Sequence, residues 1–206
     1  GDGPQGYVID RPMPPRAAIE PLALAYAFDA TEDGEVLRFR PRGGAPVLEL
    51  SEQDLVPAES GIAARLVRAQ ETELPREVSL AFTEAGADYR RSAVRARRLV
   101  GGSARVSHAD LAVVTHAAAM ERRADVWLQD LWAGRETAEF ALAPSRLALA
   151  AGDVVGASIN GRRNLFELRE VVDTGQRQIR ARAIDLDVFD APVAATRWRV
   201  PEQPPP

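Results

Sequence analysis

Two residue types are missing from this sequence of 206 residues, cysteine and lysine. The absence of cysteine excludes disulfides, thiolate metal ligands and a cysteine nucleophile. All 26 basic residues are arginine, which together with the many alanines indicates a GC-rich coding sequence. A chain of this length still buries enough surface to build a hydrophobic core without covalent staples.

Long apolar runs and an excess of positive charge are also missing. The formal net charge is -4, which argues against nucleic-acid binding by bulk electrostatics. No run of about 18 apolar residues predicts a membrane span, and no basic-then-apolar signal peptide opens the chain. The ends, "GDGPQG" and "VPEQPPP", have the composition of linkers, so we expect a segment of a longer polypeptide.

Residues 1–60 are predicted to form a small strand–helix–strand unit. Tyr7 to Ile9 favours a short strand, and Pro14 and Pro15 suit the first turn of a helix that carries an apolar stripe up to Tyr26. Next come the turn "TEDG" and the run "EVLRFRP", whose alternation predicts a half-buried strand. "GGAPVLEL" predicts another strand.

Residues 61–200 are predicted to form a mainly antiparallel, β-barrel-like domain with one long helix. Four strand-like runs precede this helix, which covers about 115–133 with Thr115 as N-cap and Gly134 as the C′ residue. Four more strands are expected at 136–142, 153–159, 164–172 and 177–188, with an Asn-Gly hairpin turn in "NGRRN". The fold class is therefore α+β, and residues 201–206 form a proline-rich linker.

Neither histidine predicts a catalytic base. Ser107 and His108 are adjacent, so in a strand their side chains point to opposite faces. His116 lies at the start of the long helix, where a solvated imidazole is the simplest interpretation. The spacing gives no nucleophile–base–acid set.

Carboxylate pairs are the next candidates, and they favour a solvated surface over a site. Glu136 and Glu139 are three apart in one predicted strand and face opposite sides, while Asp185 and Asp187 share a face. Metal-ligand spacings and phosphate-binding glycine loops are absent. We predict no catalytic, cofactor-binding or metal-ligating residue, no cofactor, and no enzyme activity.

The arginine-rich run "YRRSAVRARR" (89–98) is the strongest charge feature. Arginine side chains fit phosphate oxygens, so the run could bind a polyanion. No aromatic platform beyond Tyr89 is interleaved, and ion pairing on a sheet surface or across a subunit contact is favoured.

The order of several segments resembles one protein family. The segments are "GYVIDRPMPPRAAIEPLALAYAFDATEDGEVLRFRPRG", "RAQETELPREVSLAF", a "DY" element, "AVRARR", "RETAEFALAPSRLALAAGDVV" and "LFELREVVD". Together they resemble tail-hub and baseplate proteins of long-tailed phages, in particular the phage-tail domain of the large multidomain baseplate protein of gene transfer agents. The resemblance covers about residues 6–200.

This resemblance implies a structural role without catalytic residues. Hub proteins of the family form rings, usually threefold, that join the tail tube to the host-contacting tip around a channel for DNA. We therefore expect other baseplate and tail proteins as partners, a homotrimer in the parent protein, and transit of DNA without sequence recognition. The expected location is the tail tip of a particle assembled in the bacterial cytoplasm. The alternative is a module that binds or hydrolyses cell-envelope carbohydrate or peptidoglycan.

Overall fold

The chain folds into two main sheets and a separate two-stranded hairpin. The structure is a computed structural model that describes residues 4–9, 11–33, 36–57, 61–145 and 149–190. In these ranges the strands are β1 (Gly6–Tyr7), β2 (Phe28–Asp33), β3 (Val36–Pro41), β4 (Leu48–Leu50), β5 (Ala64–Arg68), β6 (Pro75–Glu84), β7 (Arg90–Arg97), β8 (Arg105–Thr115), β9 (Glu136–Leu142), β10 (Val154–Ile159), β11 (Arg162–Asp173) and β12 (Arg177–Ala183). The helices are α1 (Pro15–Tyr26), α2 (Ala117–Ala133) and α3 (Asp187–Asp190), with 3₁₀ turns at Glu52–Asp54 and Glu71–Glu73.

The first sheet has the strand order β1-β8-β6-β7 and is covered by α2. β6 pairs with β7 antiparallel and with β8 parallel. Alternate apolar residues of β6, Val78, Leu80 and Phe82, are fully buried because they face the helix. Met120 and Ala124 of α2 belong to the same core cluster, so the period-two strand and the period-3.6 helix bury one shared surface.

The second sheet has the strand order β4-β10-β11-β12-β9-β5 and a core of its own, which includes Phe140, Phe166 and Ile179. β4 pairs with β10 in parallel, and the remaining neighbours are antiparallel. After β4, which lies at one edge of this sheet, Leu55 forms a single bridge to Leu142 of β9, which lies next to the other edge. The α+β class is confirmed, and among the described strands both sheets stay open, so no barrel closes.

The long helix is confirmed, with a different start and a different reason for its final glycine. Thr115 is the last residue of β8, and the carboxylate of Glu84 accepts the first helical N–H, that of Ala117, at 2.8 Å. Gly134 ends the helix with φ of -78°, which is outside the left-handed region. Glycine fits here because a Cβ would lie 2.7 Å from the Arg182 guanidinium.

Two strand predictions differ from the structure. The run Val36–Pro41 is a strand, but its apolar side chains are exposed instead of half-buried, with Phe39 55 % accessible. The predicted strand 177–188 ends at Ala183, because Asp185 accepts a hydrogen bond from the backbone of Asp187 and α3 begins there.

The boundary at residue 60 stays a prediction. β1 pairs with β8, and β4 pairs with β10, so strands from residues 1–60 complete sheets of the later region. The predicted linker 201–206 lies outside the described residues.

Candidate functional site

A cluster of charged side chains lies where the hairpin β2–β3, the end of α2 and the second sheet meet. This ionic cluster consists of three carboxylates and three guanidiniums, those of Asp29, Asp130, Glu167, Arg42, Arg169 and Arg182. Arg42 donates from Nε and Nη2 to the two carboxylate oxygens of Asp29 at 2.9 and 2.7 Å. The same guanidinium lies 3.5 Å from Asp130, which also accepts a hydrogen bond from Arg182.

Burial and charge push two carboxyl groups of the ionic cluster in opposite directions. Burial favours the neutral form of Asp29, but the hydrogen bonds and charge of Arg42 outweigh it and lower the pKa of Asp29 to about 2. Burial raises the pKa of Glu167 to about 7, and the neighbouring Asp29 carboxylate adds to this rise against the charge of Arg169. The cluster therefore contains one firmly ionised acid and one that titrates near neutral pH.

The hairpin β2–β3 turns its charged face towards the rest of the protein. Asp29 receives a hydrogen bond from Arg169 of β11 at 3.3 Å, and Arg40 forms an ion pair with Asp153. Arg42 extends the same contact to Asp130 of α2. Ionic contacts therefore attach the hairpin to the body.

The opposite face of the hairpin is apolar and exposed. Phe28 and Phe39 contact each other edge to face, with ring centroids 5.7 Å apart. Leu37 is 46 % exposed, and Ala30 pairs with Phe39 in the ladder. A two-stranded ribbon with an uncovered apolar face is marginal alone, and such faces mark sites of association.

One strand edge is also uncovered. β1 pairs with β8 only at Val113 and Val114, and flanking backbone bonds extend this contact to Ala112. No strand of the described chain pairs with the preceding part of β8, Arg105–Asp110, on that side. The free N–H and C=O groups of this edge can accept a strand from another chain.

The residues considered as catalytic candidates do not come together. The ring of His116 lies 2.8 Å from the amide nitrogen of Gln5 and 3.4 Å from Glu84 at the start of α2. Ser107 and His108 lie next to each other on β8, as expected from the strand. Among the described residues, no group of three or more His, Cys, Asp or Glu is arranged to hold a metal ion.

The candidate carboxylate pairs are separated as well. Glu139 lies near both Arg65 and Arg180 on the surface, whereas Glu136 accepts a hydrogen bond from Asn164 at 2.9 Å. Asp185 and Asp187 do not share a strand face, because the strand ends before them. This corrects the predicted alternation.

Arginines of the run 89–98 form ion pairs on the first sheet. Arg91 bonds to Asp110 of β8, and Arg95 lies 3.7 Å from Glu77 of β6. The guanidinium of Arg98 stacks over the ring of Trp132 at 4.2 Å. These contacts agree with ion pairing on a sheet surface.

A groove of about 300 Å³ lies at the C-terminal end of α2, between that helix and the second sheet. Its apolar lining includes Trp132, Leu165 and Ile184. Its charged lining residues are Arg68, Arg135, Glu136, Arg162 and Asp185. We call this space the α2 groove. A cavity of this volume is large enough for one aromatic side chain.

The ionic cluster could not be found from the sequence, since its members are up to 153 positions apart and no local pattern joins them. Contacts between residues close in sequence do follow local rules. Gly152 has φ of 89°, and Asp153 accepts a hydrogen bond from the backbone of Ala150, which is the local bond that aspartate favours in a turn. In the described residues no helix is long and apolar enough to cross a membrane.

Comparison with known proteins gives one family and several solved structures. Residues 14–171 match the family described as "Putative phage tail protein". No curated protein sequence matches the chain. A chain of the "Virion of native gene transfer agent (GTA) particle" is 31% identical, with a TM-score of 0.79 over 84% of this chain and 40% of that chain.

Two prophage or bacterial tail proteins share the fold at lower identity. The 43 kDa tail protein of prophage MuSo2 from Shewanella oneidensis is 18% identical, with a TM-score of 0.53 over 89% of this chain and 56% of that chain. The tail protein from Neisseria meningitidis MC58 is 14% identical, with a TM-score of 0.50 over 81% and 53%. The chain thus spans less than two thirds of each of these three proteins.

Proposed function

Since the chain belongs to this family of phage tail proteins, we propose that it is a structural segment of a baseplate hub in a phage-like tail. In that role it connects the tail tube with the host-contacting tip and borders the channel through which DNA passes. Its location is the tail tip of the particle, which is assembled in the bacterial cytoplasm. The similarity to a chain of the gene transfer agent virion supports this proposal.

The observation that carries the proposal is the orientation of the hairpin β2–β3. In an independent soluble domain, the apolar face of a hairpin packs inward and its charged face meets water. Here Asp29 and Arg40 face the body, while Leu37 and Phe39 face outward. A neighbouring subunit that covers these two side chains would account for this orientation.

The proposed partners follow from the same surfaces. Other baseplate or tail proteins cover the hairpin face, and the open part of β8, Arg105–Asp110, accepts a strand or lies against a neighbour. The parent protein forms a homotrimer around the channel. DNA passes without sequence recognition, and the net charge of -4 gives no general attraction to its phosphates.

The alternative is a module that binds or hydrolyses the cell envelope. The α2 groove does contain two carboxylates, those of Glu136 and Asp185. The carboxylate of Glu136 accepts a hydrogen bond from Asn164, and that of Asp185 accepts one from the backbone of Asp187. Three arginines also line the groove. No specific observation favours hydrolysis. Release of soluble fragments from purified peptidoglycan, lost in Glu136→Gln and Asp185→Asn, would support this alternative and contradict the proposal.

Two measurements test the hub proposal. A gold label on this segment should appear at the tail tip in negative-stain images of the particle, and a label elsewhere contradicts the location. The double variant Leu37→Ser/Phe39→Ser should keep the folded circular-dichroism spectrum and thermal midpoint but reduce the yield of assembled tails at least tenfold. Leu99→Ser is the matched control, because Leu99 is 85 % exposed and lies outside the hairpin. Normal assembly of the double variant would contradict the proposal that the hairpin face is part of the interface.

A further inference from the structure

Two hairpin turns in this protein share one unusual backbone geometry. Asn160 and Gly161, between β10 and β11, have φ of 52° and 71°. Asp88 and Tyr89, between β6 and β7, have φ of 51° and 56°, and the N–H of Arg90 donates to the carbonyl of Ala87 at 3.1 Å. Positive φ at both central residues is the type I′ geometry, for which Asn-Gly is the favoured sequence.

Tyr89 is a poor residue for this turn. A bulky side chain at positive φ is strained, and Asn or Gly would adopt the same backbone at little cost. The strain reduces the folding equilibrium constant by about fivefold or more. Nothing in the described chain compensates it, since Tyr89 makes no hydrogen bond or ring contact there and is 70 % exposed. A strained, exposed tyrosine at a hairpin tip is therefore a candidate for contact with another molecule.

The α2 groove offers a matching concave surface. Trp132, Leu165 and Ile184 provide an apolar lining for an aromatic ring. Arg68 and Arg162 also line the groove and form no ion pair with any residue that the structure describes. The groove thus combines apolar side chains with two positive charges that form no ion pair within the described residues.

The charges next to Tyr89 complement this groove. Asp88 and Arg90 flank the tyrosine, and neither has an ion-pair partner within the described chain. Asp88 can pair with Arg68 or Arg162, and Arg90 can approach the acidic lining residues of the groove. Charges of opposite sign on the tip and in the groove favour insertion of the tip.

The tip and the groove cannot meet within one chain. Ala85 donates to the carbonyl of Thr115, which places the tip at the N-terminal end of α2, whereas Trp132 and the groove lie at its C-terminal end. A helix of 17 residues is about 25 Å long, so the tip and the groove lie at opposite ends of a rigid element. Two such sites on one molecule produce a head-to-tail contact between copies, and such contacts form rings when the rotation closes.

We propose that Tyr89 of one copy inserts into the α2 groove of the next copy, with Asp88 and Arg90 paired to the charged groove residues. The occupant of the groove is thus a second copy of this chain. This inference rests on the proposed hub function and specifies the contact that joins neighbouring subunits.

Cysteine cross-linking tests the contact directly, because the chain has no native cysteine. Tyr89→Cys and Arg162→Cys are introduced separately into the protein as it assembles in the particle, and the two variants are co-expressed. A short bifunctional maleimide should give a cross-linked dimer that requires both variants. Leu99→Cys, at a position that is more exposed than Tyr89 and lies outside the tip and groove, replaces Tyr89→Cys as the control and should give at least tenfold less dimer.

A turn replacement gives a second readout that a purely structural role would not produce. Asp88→Asn/Tyr89→Gly creates the turn sequence that the protein uses at 160–161. We expect the folding equilibrium constant of the isolated chain to rise about fivefold, since strain is relieved. The same variant should reduce the yield of oligomers at least tenfold. Greater stability with poorer assembly is the expected combination.

The possible failures can be told apart. If the tail-tip label is in place but no cross-link between positions 89 and 162 forms, the contact proposed here is wrong and the hub function stands. Normal oligomers in Asp88→Asn/Tyr89→Gly would overturn the contact in the same way. A label away from the tail tip would overturn the hub function itself.

Discussion

At the scale of single residues, the ionic cluster determines how stability depends on pH. Glu167 is 2 % exposed, and its pKa is about 7 in the folded chain against 4.5 as the ordinary value. The folded state therefore binds this proton more tightly than the unfolded state, and stability falls as pH rises from about 4.5 to about 7. Asp29 acts in the opposite sense. Because its pKa is lowered to about 2, it stabilises the folded state when ionised, and this stability is lost only as pH falls below 3.8.

Glu167→Gln should remove the fall in stability between pH 4.5 and 7, because the amide does not titrate. The slope lost is at most about 1.4 kcal/mol per pH unit for one proton. Urea unfolding at half-unit pH intervals measures it. Glu170→Gln, on the same strand but exposed and paired with Arg180, should leave the slope unchanged. An unchanged slope in Glu167→Gln would mean that other groups dominate this range.

Asp130→Asn should be strongly destabilising, by about 3–5 kcal/mol, because it leaves the partly buried guanidinium of Arg182 without its carboxylate and Arg42 with Asp29 alone. Asp130 is 3 % exposed and contacts both Arg42 and Arg182. Glu139→Gln is the control, since its pairs with Arg65 and Arg180 are exposed and should change the free energy of unfolding by less than about 1 kcal/mol. Equal effects of both substitutions, measured by urea unfolding, would contradict the central role of Asp130.

Contacts between residues that are close in sequence could be predicted, whereas contacts between residues far apart in sequence could not. The turn at Asn160–Gly161 and the backbone bond of Asp153 depend on neighbours within a few positions, so the sequence predicts both. Asp29 and Arg169 are 140 positions apart, and only the packing of the hairpin on β11 joins them. No periodicity encodes such a contact.

At the scale of elements, β3 and β6 show that one alternating pattern has two outcomes. Both strands alternate apolar and polar residues, but Phe82 of β6 is fully buried under α2, whereas Phe39 of β3 is 55 % exposed. Alternation predicts that a strand has two different faces, and it does not say which face meets the protein. The inward charged face of β3 is selected by Asp153, a partner 113 positions away.

The two phenylalanines should therefore respond differently to truncation. Phe82→Ala should lower the free energy of unfolding by about 3–5 kcal/mol, since it leaves a cavity between β6 and α2. Phe39→Ala should cost less than about 1 kcal/mol in the isolated chain, because its side chain is 55 % exposed. Denaturant unfolding compares them, and a large loss for Phe39→Ala would mean that the hairpin face is not an uncovered surface.

The start of α2 shows a similar limit for helix caps. Thr115 is a favourable cap residue by type, yet it remains in β8, where it pairs with Glu84. Glu84, from β6, supplies the acceptor for the N–H of Ala117 instead. The sequence therefore predicts that a helix starts here, but a residue 33 positions away supplies the capping group.

At the scale of the whole molecule, two apolar cores are joined by a polar junction. The first core lies between β6 and α2, and the second lies within the sheet that contains Phe166 and Ile179. Asp130 and Arg182 connect them, with Arg42 adding the hairpin. Buried ion pairs add little net stability but fix orientation through their geometry, so this junction sets how the two sheets meet.

Removal of residues 1–60 tests the predicted boundary at residue 60 and the role of this early region in both cores. The deletion takes away β1 and α1 from β8, and β4 from β10. We expect residues 61–206 to unfold at least 10 °C below the full chain and with a broader calorimetric transition, since apolar surface of both sheets is uncovered. Removal of residues 201–206, the predicted linker, is the control and should leave the midpoint unchanged. If the shortened chain unfolds cooperatively at the midpoint of the full chain, residues 1–60 form a unit that the rest does not need.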